Sequence, residues 1–264
     1  MKKTETREAV VLINKGDKLF GILHRPLVNA PYPAVLICHG FGGDKLGRNR
    51  LYLILAQELA EAGIATLRLD FHACGDSEGD FNKTTVDGLV SDAEVAIQFL
   101  KQDSQIDSER LGVLGRSLGG AVAVLAANRS KAFKSIVLWA PFFSAESWRE
   151  QWKLLQTTQD AVKKAELMTI NGKKASYDFY EQLFEIRLDK VLPNLQNIPL
   201  LHIQGKNDAT ILESHAQNYQ VYRQGASGKS KFILLPNSDH DFSHLVEQRL
   251  SIDETVAWFK QTLN

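Results

Sequence analysis

Gly115-Arg116-Ser117-Leu118-Gly119 sets a serine between two glycines, where the apolar run LGVLG gives way to LGGAVAVLAA. A serine hydroxyl is a weak nucleophile and becomes reactive only when a base takes its proton and an acid orients that base. Gly-x-Ser-x-Gly alone is cheap, arising by composition in about one unrelated chain in ten of this size. Its surroundings carry the meaning. On a sharp strand-to-helix turn the hydroxyl is pushed out at the sheet edge, and side chains two residues before or after would strike neighbouring elements. The helix that follows aims free N–H groups and its positive dipole end at the same point. The plainer alternative is a serine that only caps the helix.

A base for Ser117 must come from the histidines. Beyond Ser117 and outside strands these are His215, His240 and His244. His215 falls within a helical stretch and His244 at the start of one, whereas His240 in LLPNSDHDFSH occupies a loop after the last strand. His202 alternates within a strand and reads as packed. For the acid, Asp208 in IQGKNDAT follows the preceding strand, from which a carboxylate can reach a histidine placed after the next one. Asp239 and Asp241 are sequence neighbours of His240, poorly placed for its Nδ1, and read as solvated loop acids. The chain order Ser117, Asp208, His240 is one in which such triads occur.

His39-Gly40-Phe41-Gly42-Gly43 follows the strand AVLIC. A glycine-rich loop there can turn a backbone N–H toward developing negative charge, and the expected donors are the amides of Phe41 and Leu118. Phosphate binding competes for such a loop. Dinucleotide spacing would need glycine at 45, where Lys45 stands. GASGKS (225–230) would need glycine at 223, which is Arg223, so both nucleotide readings fail on spacing.

The elements that must hold these residues alternate along the chain. EAVVLI and KLFGILH around NKGD read as an N-terminal hairpin. AVLIC (34–38), IATLRL (64–69), LGVLG (111–115), SIVLW (135–139), LLHIQ (200–204) and KFILL (231–235) are short apolar runs, as in strands covered on both faces. Helical patterns lie between them at Leu51–Ala62, Val86–Leu100, Leu118–Ala127, Ser214–Arg223 and Leu245–Leu263. The alternation predicts a doubly wound, mostly parallel α/β sheet with an antiparallel hairpin at its start.

Residues 142–192 break the pattern. A helix around Ala145–Leu155 is followed by Asn171-Gly172 between two β-like runs, a hairpin signal. The segment reads as a cap inserted into a core formed by 1–141 and 193–264. Nine of the 23 aromatic residues lie between Trp139 and Phe184. Their simplest use is a small core of the insertion's own; lining a ligand pocket is the other.

Composition narrows the classes. The 264 residues suit one large α/β domain carrying an insertion. Lys plus Arg balance Asp plus Glu at 31 each, which gives no pull toward nucleic acid or an anionic membrane. No apolar run approaches the roughly 20 residues of a spanning helix. MKKTETREAV has no apolar h-region, and Cys38 and Cys74 are too few for a disulfide framework or a zinc site. The expectation is a cytoplasmic protein with two free thiols.

HGFGG, RLDFHACGDSEG, GRSLGG, GKND and DH, in this order, resemble the serine α/β-hydrolases, and among them the aminopeptidase-like and cinnamoyl (feruloyl) esterase-like branch with an inserted cap. The resemblance runs from about residue 18 onward. It implies an α/β-hydrolase fold, a Ser117-Asp208-His240 triad, and oxyanion donors at Phe41 and Leu118. It also implies a structural part for Asp70 and the GDSEG loop at the floor of the site. Two positions depart from it: Arg116 stands where His is frequent, and Ala73-Cys74 replaces Gly-His before Gly75. The expected activity is a carboxylesterase on small to medium apolar or aryl esters, with neither metal nor organic cofactor, acting on a small-molecule substrate. A peptidase or amidase on small peptides would use the same triad. A non-catalytic ligand-binding protein on this scaffold should have lost a triad member, and none is missing. Oligomeric state, whether monomer or homodimer, is left open.

Overall fold

A computed structural model describes residues 4–170 and 172–263. Strands β1 (Glu5–Asn14) and β2 (Asp17–Pro26) form the N-terminal hairpin, with Asn14 opposite Asp17. The two residues between them, Lys15 and Gly16, both have positive φ (51° and 97°). That is the two-residue turn whose twist matches paired strands.

Six further strands complete the sheet: β3 (Tyr32–Cys38), β4 (Ala65–Leu69), β5 (Ile106–Arg116), β6 (Phe133–Trp139), β9 (Leu200–Gly205) and β10 (Ser230–Leu235). Their order is β1-β2-β4-β3-β5-β6-β9-β10. β2 meets β4 antiparallel, and every pair from β4 onward is parallel. All seven residues of β3 are buried, as its unbroken apolar run requires.

Alternate residues feed two cores. Leu36, Leu67, Val113, Ile136 and Leu138 pack with α2 (Val86–Gln102) and α3 (Leu118–Ser130) on one face. Val35, Ile37, Leu114, Val137 and Ile203 pack with α1 (Leu51–Glu61) and α9 (Leu245–Thr262) on the other. Between β9 and β10 runs α8 (Glu213–Tyr222). The sheet is the doubly wound, mostly parallel one expected.

Between β6 and β9 lie α4 (Arg149–Thr157), α5 (Ala161–Leu167), the two-residue strands β7 (Thr169–Ile170) and β8 (Lys173–Lys174), α6 (Tyr177–Glu185) and α7 (Leu188–Val191). The expected helix forms as α4, preceded by a 3₁₀ turn at Glu146–Trp148. Thr169 pairs with Lys174 and Ile170 with Lys173, antiparallel, while Asn171 of the expected turn lies outside the described residues. The Ser176 hydroxyl caps α6 by accepting from the Phe179 N–H, and donates to the Thr84 carbonyl before α2. Leu155, Phe179, Tyr180 and Leu183 join the apolar cluster built by α2 and α3. The segment therefore shares the main core instead of closing one of its own.

Candidate active site

Ser117 sits between β5 and α3 with φ 55° and ψ −126°, a left-handed conformation that costs an L residue about 1–3 kcal/mol. Its surroundings enforce it. The Ser117 N–H donates to the Trp139 carbonyl at 3.0 Å, and the Ser117 carbonyl accepts from the Gly120 and Phe142 N–H groups at 2.9 Å each. A Cβ on Gly115 would lie 2.3 Å from the Gly119 carbonyl oxygen, and one on Gly119 would lie 2.2 Å from that of Cys38. Both glycines are thus demanded by backbone packed against backbone. The Ser117 side chain caps no helix N–H, which removes the plainer reading. It faces a cavity of about 770 Å³ that His240 also lines.

His240 and Asp208 meet as their loops imply. His240 Nδ1 stands 2.7 Å from Asp208 Oδ2, and the carboxylate side chain is fully buried. Asp208 Oδ1 accepts from the Thr210 and Ile211 amides at 2.8 and 2.7 Å, and Oδ2 accepts from Gln204 Nε2 at 3.1 Å. A carboxylate held by that many donors is fixed in place. The His240 loop is tied down from several sides. A Cβ on Gly205 would stand 2.4 Å from the Ser238 carbonyl oxygen, so β9 and this loop run in contact. Glu247 on α9 accepts from the Ser238 hydroxyl at 2.6 Å and from the Asn237 side-chain amide at 2.8 Å. Arg116 donates to the His240 carbonyl and to Asp241 Oδ1, both at 2.6 Å.

The other histidines are accounted for. His215 is buried on α8, and its Nδ1 accepts from the Phe143 N–H at 2.9 Å; burial lowers its pKa, which keeps the acceptor neutral. His244 is exposed at the start of α9, and its side chain caps nothing. His202 is buried in β9 with its pKa lowered to about 4 by burial.

The loop after β3 is shaped by His39. Its Nε2 accepts from the Phe71 N–H at 3.0 Å, so Nδ1 carries the proton and donates to the Gly40 carbonyl at 2.8 Å. Burial lowers the His39 pKa and holds this tautomer neutral. The same carbonyl accepts from the Gly43 N–H at 3.1 Å. Gly40 abuts Ser117: a Cβ on it would stand 3.1 Å from that of Ser117. Among the described residues, the Phe41 and Leu118 amides donate to no loop or side-chain acceptor, and both residues line the cavity. Below the loop, buried Asp70 accepts from the Lys45 N–H and ammonium at 2.5 Å and from the Asp76 N–H at 2.9 Å. A Cβ on Gly75 would collide with that carboxylate at 2.1 Å, so the GDSEG loop is packed directly on Asp70.

The rest of the cavity wall divides by chemistry. The inserted segment supplies Trp148, Trp152, Leu155, Phe179, Leu183 and Phe184. Trp152 stacks on Phe184 at 5.1 Å between centroids with 19° between planes. The cavity-lining carboxylates are Asp44, which accepts from the Leu46 and Gly47 amides, and Asp241, which is paired with Arg48 and Arg116. Lys173 of β8 lines the same cavity and donates to the Gly42 carbonyl. Among the described residues no group of three or more His, Cys, Asp or Glu side chains is arranged to hold a metal ion, and no helix is long and apolar enough to cross a membrane. Cys38 and Cys74 are unpaired and buried, and burial pushes both thiols up, Cys74 to about 12. Sequence pattern did not reveal Gln204, Glu247 or Lys173; Arg116 stood out only as a departure beside the serine.

A family profile described as "Serine aminopeptidase, S33" matches residues 29–244. An uncharacterised protein of Mycobacterium tuberculosis is 35% identical over 258 residues, which are 97% of this chain and 80% of that protein. Esterase EstD of Thermotoga maritima is 26% identical over 239 residues, 84% of this chain and 56% of its own length. Among solved structures, Est1E from Butyrivibrio proteoclasticus with bound ferulic acid is similar with a TM-score of 0.77, covering 95% of this chain and 99% of that one at 20% identity. The fold is that of the α/β-hydrolases.

Proposed function

The chain belongs to the serine aminopeptidase S33 family of hydrolases, and within it we propose a serine-dependent carboxylic ester hydrolase acting on small to medium apolar or aryl esters. The observation that carries this reading is the 2.7 Å contact of His240 Nδ1 with Asp208, beside a cavity shared with Ser117. Asp208 fixes the tautomer with the proton on Nδ1, leaving Nε2 free to take the Ser117 proton as the hydroxyl attacks the ester carbonyl. The bond between Ser117 and Nε2 closes when substrate is bound, as is common for such pairs. The Phe41 and Leu118 amides receive the charge of the tetrahedral oxyanion. His240 then protonates the departing alcohol, and water repeats the cycle on the acyl-enzyme. Segment 142–192 serves as a cap whose aromatic side chains hold the apolar part of the substrate.

The family description favours a second reading, an aminopeptidase. That activity wants a free carboxylate near the serine for a substrate amine. The two acids on the cavity wall, Asp44 and Asp241, are already engaged by backbone amides and by two arginines. This supports ester over peptide. A panel of p-nitrophenyl esters from acetate to decanoate, a feruloyl ester and aminoacyl-p-nitroanilides separates the readings, with a fluorophosphonate probe reporting on Ser117. Turnover of anilides but not esters would replace the esterase by the peptidase. An unlabelled Ser117 would point to a binding protein.

A further inference from the structure

Lys173 connects two parts of the molecule that the chain keeps far apart. From β8 of the inserted segment its ammonium donates to the Gly42 carbonyl, 131 positions away, in the loop that carries the Phe41 amide. Gly42 has φ 59°, in the left-handed region that favours glycine, and a Cβ there would stand 2.6 Å from Lys173 Cδ. The lysine stem therefore lies flush on the Gly42 backbone. Its ammonium stands 5.4 Å from the centroid of the Phe81 ring. Phe81 meets Phe41 edge-on at 5.2 Å, and Phe179 also packs on Phe41, at 5.0 Å. Among the described residues no carboxylate pairs with Lys173, so its charge reaches the loop without a counter-ion.

The two peptides that flank the Phe41-Gly42 unit, Gly40–Phe41 before it and Gly42–Gly43 after it, are thus held by different parts of the fold. His39 and the Gly43 amide fix the Gly40 carbonyl from within the core. Lys173 fixes the Gly42 carbonyl from the insertion. We propose that Lys173 is a positioning residue for the oxyanion loop, so that the inserted segment holds the Phe41 amide in its working orientation as well as walling the substrate. This rests on the esterase reading above. Donors aimed in advance at developing charge stabilise the transition state more than bound substrate, so losing the clamp acts on kcat and not on KM.

The test compares Lys173→Met and Lys173→Arg with the wild-type protein on p-nitrophenyl butyrate, together with the rate of fluorophosphonate labelling at Ser117. Removing a direct oxyanion donor costs about 10²–10³-fold in kcat, and loss of a clamp one residue away should cost about 10-fold. Lys173→Met should show that loss with KM changed less than about twofold, and labelling should slow in parallel. Lys173→Arg, which can still donate to a carbonyl, should recover most of the rate. A raised KM at unchanged kcat would make Lys173 a wall residue only and overturn the proposal. Equal losses in both variants with a lowered thermal midpoint would make its role packing, and overturn it too. Wild-type activity matched by Lys173→Met would sink this inference alone. A wild-type protein that neither hydrolyses esters nor is labelled would sink the esterase reading and this inference with it.

Discussion

Arg116 Nη2 donates to the carbonyl of His240 at 2.6 Å, so the residue before the candidate nucleophile holds the loop of the candidate base. The same nitrogen reaches Asp241 Oδ1 at 2.6 Å, and Asp241 is paired in turn with Arg48. Position 116 departs from the family's frequent histidine, and its side chain ties the Ser117 turn to the His240 loop. Arg116→Met removes both bonds without a large loss of volume. kcat/KM for p-nitrophenyl butyrate should fall about 10-fold, since a small misplacement of a catalytic group is felt strongly. An unchanged rate in a folded Arg116→Met protein would show that the His240 loop holds itself.

Ser117→Ala should lower kcat by about 10⁴-fold or more while leaving the fold intact, because the hydroxyl faces the cavity and caps nothing. His240→Ala should be equally inactive. Exposed His244→Ala should keep the wild-type rate. His215→Ala leaves the Phe143 N–H without its acceptor at the entry to the inserted segment, so its cost should appear as lost thermal stability before lost chemistry. A His244→Ala variant that is inactive, beside an active His240→Ala, would move the base by four residues.

The sheet and the Ser117, Asp208 and His240 positions were legible because local backbone geometry writes them into the sequence. Gly115 and Gly119 are there since any side chain would meet a carbonyl oxygen, and such a requirement appears as spacing. Asp208 and His240 follow the ends of consecutive apolar runs that become the adjacent strands β9 and β10. The long-range contacts of these loops were illegible for the opposite reason. Lys173 with Gly42, and Arg116 with the His240 carbonyl, join residues more than 120 positions apart through single polar atoms, which leave no periodicity. Helix α6 was also missed. Its capping serine at 176 lies within the β-like text around the hairpin, and its buried residues pack into the main core beside α2.

Buried histidines should weaken the fold in acid: His24 and His202, beside His39 and His215, are all held below the ordinary imidazole range by burial. His24 is enclosed between Glu5 and Arg68, donating from Nδ1 to the carboxylate and accepting from Arg68 at Nε2, and burial lowers its pKa to about 4. His202 is also lowered to about 4 by burial. In the unfolded chain both take up a proton near the ordinary value of 6.5. Between about pH 6.5 and 4 the unfolded state therefore binds more protons, so stability is full above that window and is lost as pH falls through it. Urea midpoints at pH 7.5, 6, 5 and 4 should decline steadily, and His202→Phe should flatten the decline. A midpoint constant from pH 7.5 to 5 would contradict the burial of these two rings as neutral species.

Substrate choice should lie in the stacked pair Trp152 and Phe184. Both line the cavity, both come from the inserted segment, and together they present a flat apolar wall. Replacing all of 142–192 by a Gly-Ser linker would be a blunt test. It would strip Leu155, Phe179 and Leu183 from the main core and remove Lys173 from the Gly42 carbonyl, mixing stability and catalysis with binding. Phe184→Ala is narrower, since that ring is only partly buried and its loss opens the wall without emptying the core. At about 25 cal/mol per Å², an ester chain losing roughly 50 Å² of apolar contact forfeits about 1.3 kcal/mol, close to tenfold in binding. KM for p-nitrophenyl octanoate should rise about tenfold while KM for the acetate, too short to reach the wall, changes less than twofold. kcat for the acetate should stay at the wild-type value, because Ser117, His240 and the Gly40–Gly43 loop are untouched. Equal changes for octanoate and acetate would mean that acyl chains do not lie against this wall and that the aromatic pair is there for packing alone.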